Sequence, residues 1–77
     1  MTNYLNKIKK IIEEKTGIDP SEITLESYFE DDLNISEMEL MEILEEIEEV
    51  FNVDLTDEKD NIETVGDLVE LLEENLE

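Results

Sequence analysis

The stretch FEDDLNISEMELMEILEEIEEVF, from Phe29 to Phe51, predicts an acidic loop followed by one long amphipathic helix. At about 100° per residue its apolar positions fall within roughly a third of a turn, which is typical of a helix that faces a core. These positions are Leu40, Ile43, Leu44, Ile47, Val50 and Phe51. The opposite side is glutamate, namely Glu39, Glu42, Glu45, Glu46 and Glu49, with Glu37 and Glu48 at its border. The stretch therefore predicts a helix with one buried apolar face and one anionic face.

The start of this helix is specified by a short local pattern. Ser36 is followed three residues later by Glu39, the spacing of a capping box. In that arrangement the Ser36 hydroxyl accepts a hydrogen bond from the Glu39 N–H, and the Glu39 carboxylate accepts one from the Ser36 N–H. We therefore expect the helix to begin at Ser36.

The composition excludes several classes of protein. With 77 residues, the chain is long enough for one domain, residues 1–77, with one core. Cysteine and histidine are absent, which removes disulfides, thiol chemistry, the usual zinc sites and histidine acid–base catalysis. No apolar run reaches membrane-spanning length, and MTNYLNKIKK begins an amphipathic helix rather than a signal peptide. We expect a monomeric cytoplasmic protein that is not an enzyme and does not insert into membranes.

The charge is strongly negative and unevenly distributed. Acidic residues outnumber basic ones 25 to 5, the formal net charge is −20, and four of the lysines lie in the first fifteen residues. Such a surface repels nucleic acids and attracts basic partners, although high acidity can also serve solubility alone. Because it repels itself, we expect salt or divalent cations to stabilise the fold.

The remaining segments complete an all-α pattern. A first helix is predicted over residues 3–16, capped by Thr2 or Asn3 and closed by Gly17. The connection to Tyr28 contains one capped turn after Asp19, and we expect it to pack over the bundle. Its apolar side chains are Ile23, Leu25, Tyr28 and Phe29. A short helical turn or loop is expected over residues 56–61. Thr64 then caps a last helix whose apolar face is Val65, Leu68, Val69, Leu72 and Leu76.

The order of these elements resembles an acyl carrier protein over essentially the whole chain. Phe29, Asp32 and Leu33 resemble the F-x-x-D-L motif before the second helix of that family. The stretch 45–51 resembles the L-E-E-E-F end of the helix, and residues 62–67 resemble the I-x-T-V-x-D start of the last one. The resemblance implies a four-helix bundle with three long helices and a short third helix.

The resemblance also implies a function in fatty acid biosynthesis. In this family a serine in an Asp-Ser-Leu motif carries 4′-phosphopantetheine, which holds acyl groups as thioesters. Counted without gaps from Phe29 to Phe51, this motif falls on Ser36, Glu37 and Met38, so that glutamate stands at the position of the modified serine. Two interpretations of Ser36 stay open: a helix cap alone, or an attachment site for phosphopantetheine one residue early.

A partner surface is predicted beside this position. Two methionines lie off the core stripe among glutamates, and unbranched, polarizable side chains suit contacts with varied partners. The residues of this predicted docking face are Glu37, Met38, Met41, Glu42, Glu45 and Glu48. Basic surfaces of partner enzymes or basic helices would bind there; the alternative is a solvated helix face, with Met41 at the edge of the core.

Two functions follow from the sequence. The chain is either a carrier of an acyl chain on phosphopantetheine at Ser36, or an acidic protein-interaction module of the same fold without a prosthetic group. Calcium is a poor fit, because the acidic loops lack the alternating ligands and central glycine of an EF-hand. Only weak, nonspecific divalent binding is expected.

Overall fold

A computed structural model describes residues 3–77, which form three α-helices and two short 3-10 segments. Helix α1 is Tyr4–Thr16, α2 is Glu37–Phe51 and α3 is Val65–Leu76. The 3-10 segments are Pro20–Glu22 and Thr56–Asn61. Within the described residues there is no β-strand, and an isolated β-bridge pairs Tyr28 with Thr64. The predicted all-α fold, with three long helices and a short third one, is confirmed.

Helix α1 begins and ends where local signals place it. The Asn3 side chain accepts a hydrogen bond from the Asn6 N–H at 3.1 Å. Gly17 has a φ of 81° and donates its N–H to the Glu13 carbonyl at 2.8 Å, because glycine adopts this left-handed conformation without steric cost. The predicted range, roughly 3–16, agrees with the structure to within one residue, since Asn3 is the cap and the helix begins at Tyr4. Thr2, the alternative cap, lies outside the described residues.

The core contains apolar side chains from every long helix and from the connections. Helix α1 packs against both α2 and α3 and against the first 3-10 segment. At one edge the Tyr4 and Phe51 rings meet edge to face at 5.7 Å, and the Lys7 ammonium lies 5.6 Å from the Phe51 ring centroid. The buried apolar residues are Tyr4, Ile8, Ile11, Ile12, Ile23, Phe29, Leu33, Ile35, Ile43, Leu44, Ile47, Leu55, Ile62, Val65, Leu68 and Leu72.

Backbone hydrogen bonds attach the connection between α1 and α2 to the start of α3. The Gly66 and Val65 N–H groups donate to the Leu25 and Ser27 carbonyls at 2.8 and 3.0 Å, and the Phe29 N–H donates to the Glu63 carbonyl at 3.0 Å. This connection is therefore fixed to the start of α3.

Two of the four apolar side chains expected to pack in this connection are exposed. Ile23 and Phe29 are buried, whereas Leu25 is 48% and Tyr28 45% exposed. The prediction was wrong for Leu25 and Tyr28. The Leu25 carbonyl and the β-bridge of Tyr28 hold the loop through its backbone, and the two side chains are left exposed to solvent.

Two residues of the predicted helix stripes also lie outside the core. Val50 is 49% exposed at the edge of the α2 stripe, and Leu76 is 40% exposed in the last turn of α3. Leu40, Phe51 and Val69 pack partly buried against the core. The predicted apolar faces are therefore confirmed for the residues at their centres. The prediction was wrong for Val50 and Leu76 at their edges, where no neighbouring element covers the helix.

Helix α3 begins with a second capping box. The Thr64 hydroxyl accepts from the Asp67 N–H at 3.1 Å, which confirms Thr64 as the predicted cap. In return Asp67 Oδ2 accepts from the Glu63 and Thr64 N–H groups at 3.0 and 3.1 Å. These two backbone hydrogen bonds lower the pKa of Asp67 below its ordinary value, because they stabilise the ionised carboxylate.

Candidate functional site

The loop before α2 fixes the position at which the helix starts. Phe29, Leu33 and Ile35 are buried in the core, and the Ile35 N–H donates to the Phe29 carbonyl at 2.8 Å. Between them Asn34 has a φ of 56°, a left-handed conformation that asparagine tolerates better than most residues. The chain therefore reaches Ser36 from a rigid turn rather than from a free loop.

Ser36 caps α2 with the predicted geometry. Its Oγ accepts from the Glu39 N–H at 3.2 Å, and its own N–H donates to Glu39 Oε1 at 3.0 Å. Its carbonyl accepts from the Leu40 N–H at 2.8 Å. The helix therefore starts at Glu37 with Ser36 as its N-cap, as expected from the sequence, and the side chain of Ser36 is exposed.

Glu37 and Met38 occupy the first two helical positions and are both exposed, Met38 at 78%. The Glu37 carboxylate adds negative charge in the first turn, where the positive end of the helix dipole favours it. Met41, one turn later, is 45% exposed. Both methionines therefore lie outside the core. Met41 lies at the edge of the core, with about half of its surface exposed.

The exposed side of α2 is anionic along its whole length. Seven of its fifteen residues are glutamate and none is lysine or arginine. Lys15 of α1 approaches from the side, with its Nζ 3.8 Å from Glu46 Oε1. Such a partly exposed pair contributes little stability. Lys15 also borders an open depression of about 720 Å³ whose other lining residues are Glu42, Glu45, Glu46, Glu48, Glu49 and Asn52.

Glu48 has a structural contact that the sequence pattern did not reveal. Its Oε2 accepts from the Leu55 N–H at 2.7 Å, while its carbonyl accepts from the Val53 N–H at 3.1 Å. Asn52, at a φ of 56°, ends the helix between these contacts. Leu55 lies seven residues away across an irregular turn, so no local spacing rule indicates this bond. Glu48, one of the residues of the predicted docking face, thus also ties the end of α2 to the next segment.

Comparison with known proteins identifies the family. The family model described as a phosphopantetheine attachment site matches residues 6–72. The chain belongs to this family of acyl carrier proteins. Among 42 curated proteins with significant similarity is the meromycolate extension acyl carrier protein of Mycobacterium leprae (strain TN), 47% identical over 75 residues. The match covers 91% of this chain and 65% of that protein, so the chain spans about two thirds of its curated relative.

Family membership confirms two predictions. The first is the fold class, which agrees with that of an acyl carrier protein. The second is that the chain is not an enzyme, since the carrier-domain family is not catalytic. Within residues 3–77, no group of three or more acidic, cysteine or histidine side chains could hold a metal ion. No helix in the same part of the chain is long and apolar enough to cross a membrane.

The start of α2 can be compared with the chemistry of the family's prosthetic group. Phosphopantetheine is joined to a carrier protein through a phosphodiester, which requires a hydroxyl on the protein. Glu37 has none. Ser36 has one, but its oxygen already accepts the Glu39 N–H, and the carboxylates of Glu37 and Glu39 lie in the same turn. Glu37, the residue at the family's attachment position, therefore does not fit the group.

A small cleft lies beside this end of α2. It has a volume of about 150 Å³ and is lined by Tyr28, Phe29, Glu30, Asp31, Leu40, Ile62 and Glu63. Sites for small ligands usually enclose about 300–1,000 Å³. The cleft is thus too small, as it stands, for a long acyl chain.

Proposed function

We propose that the chain is an acyl-carrier-like module that presents α2 to basic surfaces of partner enzymes. The observation that carries this proposal is the continuous anionic side of α2, seven glutamates in fifteen residues without a basic residue, flanked by the exposed Met38 and Met41. The six residues predicted from the sequence as the docking face lie on this helix.

The physical argument rests on charge and on side-chain flexibility. An anionic surface accelerates encounter with a basic partner and opposes the approach of nucleic acid or another acidic protein. Methionine then gives apolar contact area that adapts to partners of different shape. A helix that combines the two properties suits a protein that several enzymes must bind in turn.

The partners are expected among enzymes that act on acyl groups. The name of the Mycobacterium leprae relative associates that protein with the extension of meromycolate chains, and we propose fatty acid biosynthesis for this chain by similarity. A monomer in the cytoplasm that binds no nucleic acid is part of the same proposal.

A second candidate function is the carriage of an acyl thioester on phosphopantetheine at Ser36. One observation favours it: the Ser36 side chain is exposed at a helix N-terminus, where the dipole and the N–H groups of the first turn stabilise a phosphodiester. The two candidates share the docking face and differ in the prosthetic group. Carriage of a long acyl group also requires the 150 Å³ cleft to widen.

Docking can be tested by titrating the isotope-labelled protein with a synthetic basic amphipathic peptide and following backbone NMR shifts. We expect perturbations along α2 from residue 37 to residue 48. The double variant Glu42→Gln/Glu45→Gln should weaken binding by about 2- to 30-fold, because each exposed ion pair contributes about 0.2–1 kcal/mol. Glu48 is left intact because its carboxylate also holds Leu55.

The matched control is Glu73→Gln/Glu74→Gln, which removes the same charge from exposed positions of α3. This control should bind like the wild type. Equal weakening by both pairs, or perturbations spread over all acidic surfaces, would show nonspecific attraction and contradict a docking face on α2.

A further inference from the structure

We infer that this chain carries no phosphopantetheine, because residue 37 is a glutamate and has no hydroxyl to which the group could be joined. The inference goes beyond docking and does not depend on it, since a docking face can serve a protein with or without a prosthetic group. It rests on the chemistry at the N-terminus of α2.

The first step is the requirement for a hydroxyl. A transferase forms a phosphodiester between the phosphate of coenzyme A and a hydroxyl oxygen of the protein. The adenosine bisphosphate part of coenzyme A leaves and the hydroxyl proton is released. A carboxylate at residue 37 cannot give this product. Glu37 is the first residue of α2 and is exposed, the position from which a long arm would project into solvent.

The second step concerns Ser36, the hydroxyl nearest to this position. Its Oγ is 3.2 Å from the Glu39 nitrogen and its N–H binds Glu39 Oε1 at 3.0 Å. A phosphodiester on this oxygen would add a negative charge to a turn that already holds the carboxylates of Glu37 and Glu39. It would also compete for the N–H that the cap uses. The hydroxyl is therefore engaged in starting the helix.

The third step concerns the other serine and threonine hydroxyls of residues 3–77. Ser27 is buried, and the hydroxyl oxygens of Thr16, Thr24 and Thr64 take part in hydrogen bonds within the fold. Ser21 and Thr56 are exposed but lie in the two 3-10 segments. None of these is at the start of α2. In place of a phosphodiester the chain has the carboxylate of Glu37 at the helix N-terminus.

The test is modification by a promiscuous phosphopantetheinyl transferase with coenzyme A, read by intact-protein mass. The wild-type chain should gain no mass. Glu37→Ser should gain the mass of one phosphopantetheine group, because it places a hydroxyl at residue 37 and keeps the Ser36–Glu39 capping box. Ser36→Asp/Glu37→Ser gives a second route to the same product with aspartate as the cap, in case the first variant presents its serine poorly.

Two controls make the outcome decisive. Ser36→Ala in the wild-type background shows whether any gain depends on Ser36, and circular dichroism shows that each variant is helical. A wild-type mass gain would overturn the inference, and its loss in Ser36→Ala would locate the group on Ser36. Absence of a gain in both serine-bearing, folded variants would also overturn it, since residue 37 would then not be what withholds the group. The peptide titration tests docking in a separate experiment. Failure of the docking proposal and failure of this inference can therefore be told apart.

Discussion

Asp67 shows how one side chain fixes the beginning of a helix. Its carboxylate accepts two backbone N–H groups, that of Thr64, the N-cap, and that of Glu63, the residue before it. The N–H of an N-cap has no partner within the helix. The hydrogen bonds lower the pKa of Asp67. A group whose pKa is depressed on folding contributes stability above its unfolded pKa and loses it as the pH falls through the folded value.

Substitution of this residue should therefore have a pH-dependent effect. Asp67→Ala should lower the free energy of unfolding at pH 7 by about 0.5–2 kcal/mol, the range seen for lost helix-capping interactions, because it removes the N3 half of the capping box. The difference from wild type should shrink below the ordinary aspartate value of 3.8, because the wild-type carboxyl then becomes protonated. Denaturation curves at neutral and acid pH measure this difference. Glu70→Ala, an exposed change in the same helix, is the control, and a difference from wild type that stays constant with pH would contradict the assignment.

Some single residues could be placed from the sequence and others could not. Ser36, Gly17 and Thr64 were predicted correctly because a cap depends on residues within one turn. The Glu48 carboxylate bonds a group seven residues away, and this contact depends on the path of the chain after Asn52. The role of Glu37 as the residue that withholds the prosthetic group stays a prediction, because it depends on a transferase as well as on the fold.

Among the elements, the connection between α1 and α2 is tied to the start of α3 by backbone hydrogen bonds. Gly66 donates its N–H to the Leu25 carbonyl at 2.8 Å. A β-carbon at Gly66 would lie 2.8 Å from the same carbonyl oxygen. This approach is closer than a methyl group and a backbone oxygen tolerate, and a backbone atom held by a hydrogen bond moves less readily than a side chain.

Gly66→Ala should therefore separate the loop from the helix. Alanine favours a helix over glycine by about 1 kcal/mol, whereas crowding of a packed site costs about 1–3 kcal/mol. We expect net destabilisation, with the largest NMR shift changes at Leu25 and Ser27. Thermal unfolding and backbone NMR measure the two effects. A variant more stable than wild type, with the loop shifts unchanged, would show that the contact is loose.

The sequence predicts where the helices lie better than it predicts which apolar side chains are buried. The positions of α1, α2 and α3 follow from capping residues and helical periodicity, both of which are local. The exposure of Leu25, Tyr28 and Val50 does not, because periodicity shows which side chains are apolar but not which of them another element covers. The anionic side of α2 could be predicted, because a glutamate on the solvent side of a helix does not depend on contact with another element.

For the whole molecule, the dominant property is a net charge of −20 in a fold with a radius of gyration of 11.2 Å. The Debye length is about 10 Å at 0.1 M salt and about 30 Å at 0.01 M. In dilute buffer nearly every carboxylate therefore interacts with every other, and the lysines near the N-terminus offset only a part of this repulsion. The unfolded chain relieves the repulsion by expanding, so low salt destabilises the folded state.

The melting temperature should consequently rise with salt. For a domain of this size about 1 kcal/mol corresponds to about 4–8 °C, and we expect an increase of at least this order between about 0.01 and 0.15 M sodium chloride. Magnesium chloride should act at lower concentration, because a divalent ion screens carboxylates more strongly. Potassium chloride should match sodium chloride, which would separate screening from specific ion binding. A melting temperature that stays level across this range, with sodium and with magnesium, would show that the carboxylates are too far apart or too well hydrated to oppose folding. Charge repulsion would then not be a determinant of the stability of this fold.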